Sequence, residues 1–153
     1  MMRIEVSATV RAPQRIVMDV YADYTNWPRL FPTIRDVRLI RHEGNKLVLA
    51  IDHVEGAVIN ELVIRRPDEI ELWEVKRHYN ALFRNRFEPV GDGTRFTIKA
   101  EIDLHTPVRF LQPFLYDYAR RRIERFQVAP VKAEAEARAS AHGHRDWVQT
   151  SAT

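Results

Sequence analysis

Residues 96–104 read Phe-Thr-Ile-Lys-Ala-Glu-Ile-Asp-Leu, and residues 107–130 read Pro-Val-Arg-Phe-Leu-Gln-Pro-Phe-Leu-Tyr-Asp-Tyr-Ala-Arg-Arg-Arg-Ile-Glu-Arg-Phe-Gln-Val-Ala-Pro. In the first stretch Phe96, Ile98, Ala100, Ile102 and Leu104 alternate with Thr97, Lys99, Glu101 and Asp103. A period of two with one polar face belongs to a strand that meets core on one side and water on the other. In the second stretch Leu111, Leu115, Ala119, Ile123 and Phe126 recur at helical spacing, flanked by Phe114 and Tyr118. Asp117, Arg120, Arg121 and Glu124 hold the opposite face. Pro113 suits the first turn of that helix, and Pro130 is expected to kink or end it. A sheet therefore ends at Leu104 and a long amphipathic helix follows.

Upstream, the same two periods divide the rest of the chain. Ile4, Val6, Ala8 and Val10 alternate as a strand, and Ala12-Pro13 opens a short helix carrying Ile16, Val17, Val20 and Tyr21. A second short helix or turn covers Thr25–Phe31 and stops at Pro32. A meander of strands follows, through Val37 and Leu39, Leu47 to Ile51, Val58 to Ile64, Ile70 to Val75, and Phe83 to Phe87. Turn signals separate them at Glu43-Gly44-Asn45, Glu55-Gly56, Arg66-Pro67-Asp68, His78-Tyr79-Asn80 and Gly91-Asp92-Gly93. Residues 132–139 are helix formers without an apolar stripe and read as a solvated extension. Ser140–Thr153 reads as a disordered tail beyond a single domain at 1–139.

Composition narrows the function. The 153 residues include no cysteine, which removes disulfides, thiol nucleophiles, iron–sulfur clusters and cysteine zinc sites. The chain carries 24 Lys and Arg against 21 Asp and Glu. The positive excess falls in the C-terminal helical stretch, mostly at Arg120, Arg121, Arg122 and Arg125, too local for a nucleic-acid-binding surface. No apolar run is long enough for a transmembrane segment, and no signal-peptide pattern opens the chain, so a soluble cytoplasmic protein is the default expectation. Glycine-rich phosphate loops, G-x-S-x-G and H-E-x-x-H are absent. His142-Gly143-His144 has metal-compatible spacing but sits in the tail, so no metal and no cofactor are expected.

The order of elements is strand, two short helices, six antiparallel strands and one long helix. An α+β fold in which a curved seven-stranded sheet wraps the helix buries both apolar surfaces and leaves a cavity between them. The stretch Val10-Arg11-Ala12-Pro13, the corner Val20-Tyr21-Ala22-Asp23-Tyr24-Thr25-Asn26-Trp27-Pro28-Arg29-Leu30-Phe31-Pro32 and the Gly91-Asp92-Gly93-Thr94 hairpin resemble the START-like, helix-grip superfamily. That superfamily includes polyketide cyclases, lipid-transfer proteins and coenzyme-Q-binding relatives. The resemblance covers roughly residues 3–135 and implies a pocket for a lipid, quinone, steroid or polyketide. In the aromatase/cyclases a Trp and an Arg enter the cavity from the strand after the glycine matched by Gly56. Here Glu61 stands near the Trp position and Arg65 matches the Arg loosely.

Candidate ligand-binding residues follow from these patterns. Trp27, Phe31, Trp73, Phe83, Phe114 and Tyr118 could line the pocket or form plain core, and the Tyr118 hydroxyl could orient a ligand. His53 continues the face of Leu47, Leu49 and Ile51. It either enters the cavity, where its pKa suits acid–base work, or caps the turn beside Glu55. Asn85 sits between Phe83 and Phe87 on an apolar face and needs a partner, which is either a ligand carbonyl or hydroxyl, or neighbouring backbone or buried water. Glu61 and Glu74 lie on strands apolar on both faces, which leaves their facing open. Three functions fit: binding of a small hydrophobic ligand, polyketide cyclisation or dehydration in the same cavity, or a protein-interaction groove. Arg120, Arg121, Arg122 and Arg125 could meet an acyl carrier protein or a membrane surface. A homodimer through the C-terminal extension is also open.

Overall fold

The computed structural model describes residues 1–151, with side chains described through Gly143. Strand β1 (Met2–Val10) leads into helix α1 (Gln14–Ala22), a single tight turn at Tyr24–Asn26 and the one-turn helix α2 (Trp27–Leu30). Six strands follow: β2 (Ile34–Glu43), β3 (Lys46–His53), β4 (Gly56–Arg66), β5 (Glu69–Val75), β6 (Tyr79–Val90) and β7 (Gly93–Leu104). They form one antiparallel sheet in the order β1-β7-β6-β5-β4-β3-β2, so the meander closes when β7 returns to pair with β1. Short loops enforce this order, because each joins strands that become sheet neighbours.

Helix α3 (Gln112–Ile123) starts with its proline in the first turn, as the sequence indicates. The chain then widens into a π turn at Glu124–Val128 and continues as helix α4 (Ala129–Ser151). Pro130 therefore does not end the helix, but the regular α pattern gives way to the π turn just before it. Its ring has no N–H to give the carbonyl of Phe126 and would press on it in a regular turn. The wider turn just before it relieves that conflict. Helix α4 runs past Ser140, where the sequence pattern had placed the start of a disordered tail. Residues 152–153 lie outside the described residues, as does the side chain of His144.

Residues 132–139 are docked rather than solvated. Val131 and Ala135 are fully buried and Ala139 is partly buried, a stripe of small residues that lets α4 approach α1. Ion pairs flank the stripe: Arg11 reaches Glu136 at 3.2 Å, and Arg29 reaches Glu134 at 2.7 Å, where Arg138 also pairs. Burial opposes the charge of both acids, but the Arg11 backbone N–H and guanidinium hold Glu136, and Arg138 with Arg29 hold Glu134, below the usual carboxylate range.

The concave face of the sheet carries the core, with Ile4, Val6, Leu49, Leu62, Ile70, Phe87, Phe96 and Ile98 all nearly inaccessible to solvent. The β6–β7 hairpin turns on Gly91, at φ +62°, a conformation that favours glycine. Gly93 has a different reason to be glycine. An added Cβ would sit 2.7 Å from the carbonyl oxygen of Val10, where the end of β1 crosses the hairpin. Gly93→Ala is expected to lower stability by about 1–3 kcal/mol through displacement of the β1 end, measured by urea denaturation. An unchanged midpoint would mean that this crossing is free to move.

Candidate functional site

Between sheet and helix lies a cavity of about 320 Å³. Its apolar wall starts at the corner. Trp27 and Phe31 meet edge to face with centroids 5.8 Å apart, and Trp27 donates its indole N–H to the Tyr21 carbonyl oxygen at 2.8 Å. Ile51, Leu72, Phe83, Ile102 and Leu104 continue the wall along the sheet. Leu115, Ala119, Ile123 and Phe126 close it from the helix. The stripe that the sequence placed on one helix face is therefore the cavity roof, except for Leu111, which is exposed.

A polar wall stands opposite the apolar one. Along β5 the inward positions run Ile70, Leu72, Glu74, and Lys76 follows the strand, so the inner face changes from apolar to charged toward one end. Lys76 Nζ lies 3.5 Å from Glu74 and 3.9 Å from Glu55, and 5.2 Å from the centroid of the Tyr79 ring. On the next strand Asn60 gives its Nδ2 to Glu74 Oε1 at 3.2 Å. The Lys76 and Glu74 side chains are only 9% and 12% exposed. Burial works against the Lys76 charge, but Glu74, Tyr79 and Glu55 outweigh it and hold its pKa above the ordinary lysine value. Burial, then the Glu74 charge, pushes the Tyr79 hydroxyl up.

His53 satisfies both readings of its sequence position. It is buried and lines the cavity, and its Nδ1 accepts the backbone N–H of Glu55 at 3.2 Å. An accepting Nδ1 leaves the ring proton on Nε2, the neutral tautomer. Burial, reinforced by the Lys76 charge, lowers its pKa to about 4, with Glu55 opposing and Arg122 adding to the shift. At the mouth Arg122 bridges helix and sheet. It donates to Glu55 at 3.0 Å and to the Tyr118 hydroxyl at 3.3 Å, and lies over the rings of Tyr118 and Phe126.

Several expected positions lie elsewhere. Asn85 is fully buried outside the cavity lining. It donates to the Tyr21 hydroxyl at 2.8 Å and to the carbonyls of Ile70 and Phe83, while its Oδ1 has no partner within the protein. Phe87 is wholly buried core, stacked on Phe96 at 5.0 Å. Glu61 and Trp73 face each other on the convex side of the sheet, where Glu61 meets Lys46 and Trp73 bonds to Glu71. Arg65 also pairs with Glu71 there. Phe114 is 80% exposed, off the helix face that carries Leu115 and Ala119 to the cavity. Trp27, Phe31, His53, Phe83 and Tyr118 do line the cavity. Asn60, Lys76 and Tyr79 also line the cavity and carry no sequence signal of their own, because β4 and β5 hold apolar residues on both faces.

This architecture is the helix-grip class. The family described as polyketide cyclase/dehydrase and lipid transport matches residues 1–136, and the chain belongs to that family. Solved structures share the fold at low sequence identity. The di-domain ARO/CYC StfQ of the steffimycin pathway aligns with TM-score 0.77 and 15% identity over 91% of this chain and 52% of its own, so this chain spans about half of it. The Zhui aromatase/cyclase from a Streptomyces species aligns with TM-score 0.74 and 16% identity over 89% of this chain and 94% of its own. A START superfamily protein from Mycobacterium smegmatis gives 0.69 and 15% over 92% and 99%. No curated protein sequence matches the chain.

Two predictions follow from the geometry. His53 has its pKa lowered on folding, so its contribution is fully present above about pH 6.5 and is lost as pH falls toward 4. His53→Gln should flatten the acid side of the stability–pH curve by up to about 3 kcal/mol across that window, read by chemical denaturation at stepped pH. An unaltered curve would show that His53 is solvated. Asn85→Leu should cost about 2–4 kcal/mol by stranding the Tyr21 hydroxyl and two carbonyls, while ligand selectivity in the surviving fold stays the same. A selectivity change without loss of stability would return Asn85 to the site.

Proposed function

We propose that this protein binds one small molecule with an apolar body and an oxygen-bearing polar end, held between the sheet and α3. The body rests on Trp27, Phe31, Phe83, Leu115 and Ile123, and the polar end meets Asn60, Glu74, Lys76 and Tyr79. A volume of about 320 Å³ is at the lower end of the range for small-molecule sites, about 300–1,000 Å³. The observation that carries the reading is Asn60. It is 1% exposed, lines the cavity, and its Oδ1 has no partner within the protein. A buried acceptor left without a donor costs about 1–3 kcal/mol, so a ligand hydroxyl there would gain more than the same contact in water.

The family membership is equally compatible with cyclisation or dehydration in this cavity, and the unpartnered Asn60 acceptor is the observation that favours binding. General acid–base catalysis works best with a group whose pKa lies near the working pH. Four groups of the cavity wall are moved away from that range, His53 down to about 4 and Lys76, Tyr79 and Tyr21 upward, which leaves His78 as the histidine of the lining to test for proton transfer. At neutral pH these groups present fixed donors and charges, which orient a ligand without exchanging protons with it.

The test is native mass spectrometry of protein purified from its own host, before and after denaturing extraction, with titration of 1-anilinonaphthalene-8-sulfonate into the stripped protein. A mass released on denaturation, or saturable probe binding weakened at least about tenfold in Lys76→Met, is the expected result. No bound mass and no saturable probe binding would overturn the reading in favour of a filled interaction groove.

A further inference from the structure

Large apolar side chains stand exposed on the turn at Val108–Leu111 and on the first half of α3. Phe110 is 75% exposed, Leu111 52%, Phe114 80% and Tyr118 52%. Leu111, Phe114, Tyr118, Arg121 and Arg125 follow one another at spacings of three and four, a single outward stripe that is apolar first and cationic after. Monomeric proteins rarely leave adjacent large apolar side chains this far out of the core without a partner for them. The stripe is continuous with the cavity: Tyr118 belongs to both, and Leu115 and Ala119 on the adjoining face line the cavity roof.

The basic side chains around this tip are uncommitted and outnumber its one acid, Asp117. Arg109 and Arg3 lie together beside Pro113 and Tyr116. Among the described residues, Arg3, Arg109 and Arg121 make no ion pair, and Asp117 is the one unpaired acid of α3. Arg120 and Arg122 do not belong to this set, since Arg120 caps the Glu5 carbonyl of edge strand β1 and pairs with Glu124, and Arg122 bridges to Glu55. The arginine run of the sequence thus divides into two residues that hold the protein together and two, Arg121 and Arg125, turned outward.

We propose that the Phe110–Tyr118 segment is a docking tip for an anionic lipid bilayer, which places the cavity mouth at the source of an apolar ligand. Exposed aromatic side chains enter the interfacial region of a bilayer, and flanking arginines gain from anionic headgroups. A second copy of the chain fits less well, since pairing through this tip would bring Arg109 and Arg121 of both copies together. An acidic carrier protein would answer the arginines but leaves projecting phenylalanines without the groove they would need. This inference goes beyond ligand binding in the cavity and does not depend on it.

The experiment is co-flotation of the full chain with phosphatidylcholine vesicles and with the same vesicles containing phosphatidylglycerol, alongside light scattering of the free protein. Association with the anionic vesicles, weakened by salt, is expected. The double variant Phe110→Ser/Phe114→Ser should lose at least about tenfold in partitioning with an unchanged melting temperature. Arg109→Gln/Arg121→Gln should remove the preference for the anionic vesicles. Failure to float with either vesicle, full binding by the phenylalanine variant, or a wild-type dimer that this variant dissociates would each overturn the proposal. Retention of acyl carrier protein by wild type but not by the phenylalanine variant, without vesicle binding, would replace it with a protein partner.

Discussion

The structure depends on the junction around Tyr21. Its carbonyl oxygen takes the Trp27 indole N–H, its hydroxyl takes a hydrogen bond from Asn85, and its ring meets Trp27, Phe87 and Phe96 at centroid distances near 6 Å. One side chain thereby ties α1 and α2 to β6 and β7 at the closed end of the sheet. Burial raises the Tyr21 hydroxyl well above its ordinary pKa, with Glu74 adding to the shift and the Asn85 hydrogen bond opposing it, so the phenol remains neutral. A neutral, doubly anchored tyrosine can form both the end of the core and the floor of the cavity. The cavity begins where this packed end stops.

From that floor outward, the sheet changes character one inward position at a time. On β5 the order Ile70, Leu72, Glu74 carries the inner face from core to charge, and Asn60 on β4 stands beside Glu74 in the ladder. Charges so little exposed are stable only when paired. Lys76 and Glu74 satisfy each other, and Glu55 extends the pairing to Arg122 on the helix. The polar wall is thus also a fastening between sheet and helix at the end where apolar packing is absent.

The fold was legible because its two periods are clean. Alternation from Phe96 to Leu104 and helical recurrence from Leu115 to Ile123 each survive in the structure with the facing that they imply. The site was less legible for two reasons. Val58 to Ile64 and Ile70 to Val75 carry apolar residues on both faces, since Trp73, Val75 and Ile59 lie on the convex side, so pattern alone did not orient Glu61 and Glu74. The neighbour that resolves them is Ile70, fully buried and in phase with Glu74. Hydrophobicity alone does not place Phe114, which lies off the helix face that Leu115 and Ala119 turn to the cavity and is exposed.

Pro130 shows how a residue remote from the polar wall sets the roof above it. A regular helix through residues 123–130 would bring the proline ring against the Phe126 carbonyl, and the π turn avoids this by adding a residue to one turn. The extra residue rotates everything beyond it relative to α3. Leu115, Ala119, Ile123 and Phe126 then face the cavity, while Val131, Ala135 and Ala139 face α1. The α4 half, locked by small residues and ion pairs, anchors the helix, which lets the α3 half cross the sheet with space beneath it and aromatic side chains projecting beyond it.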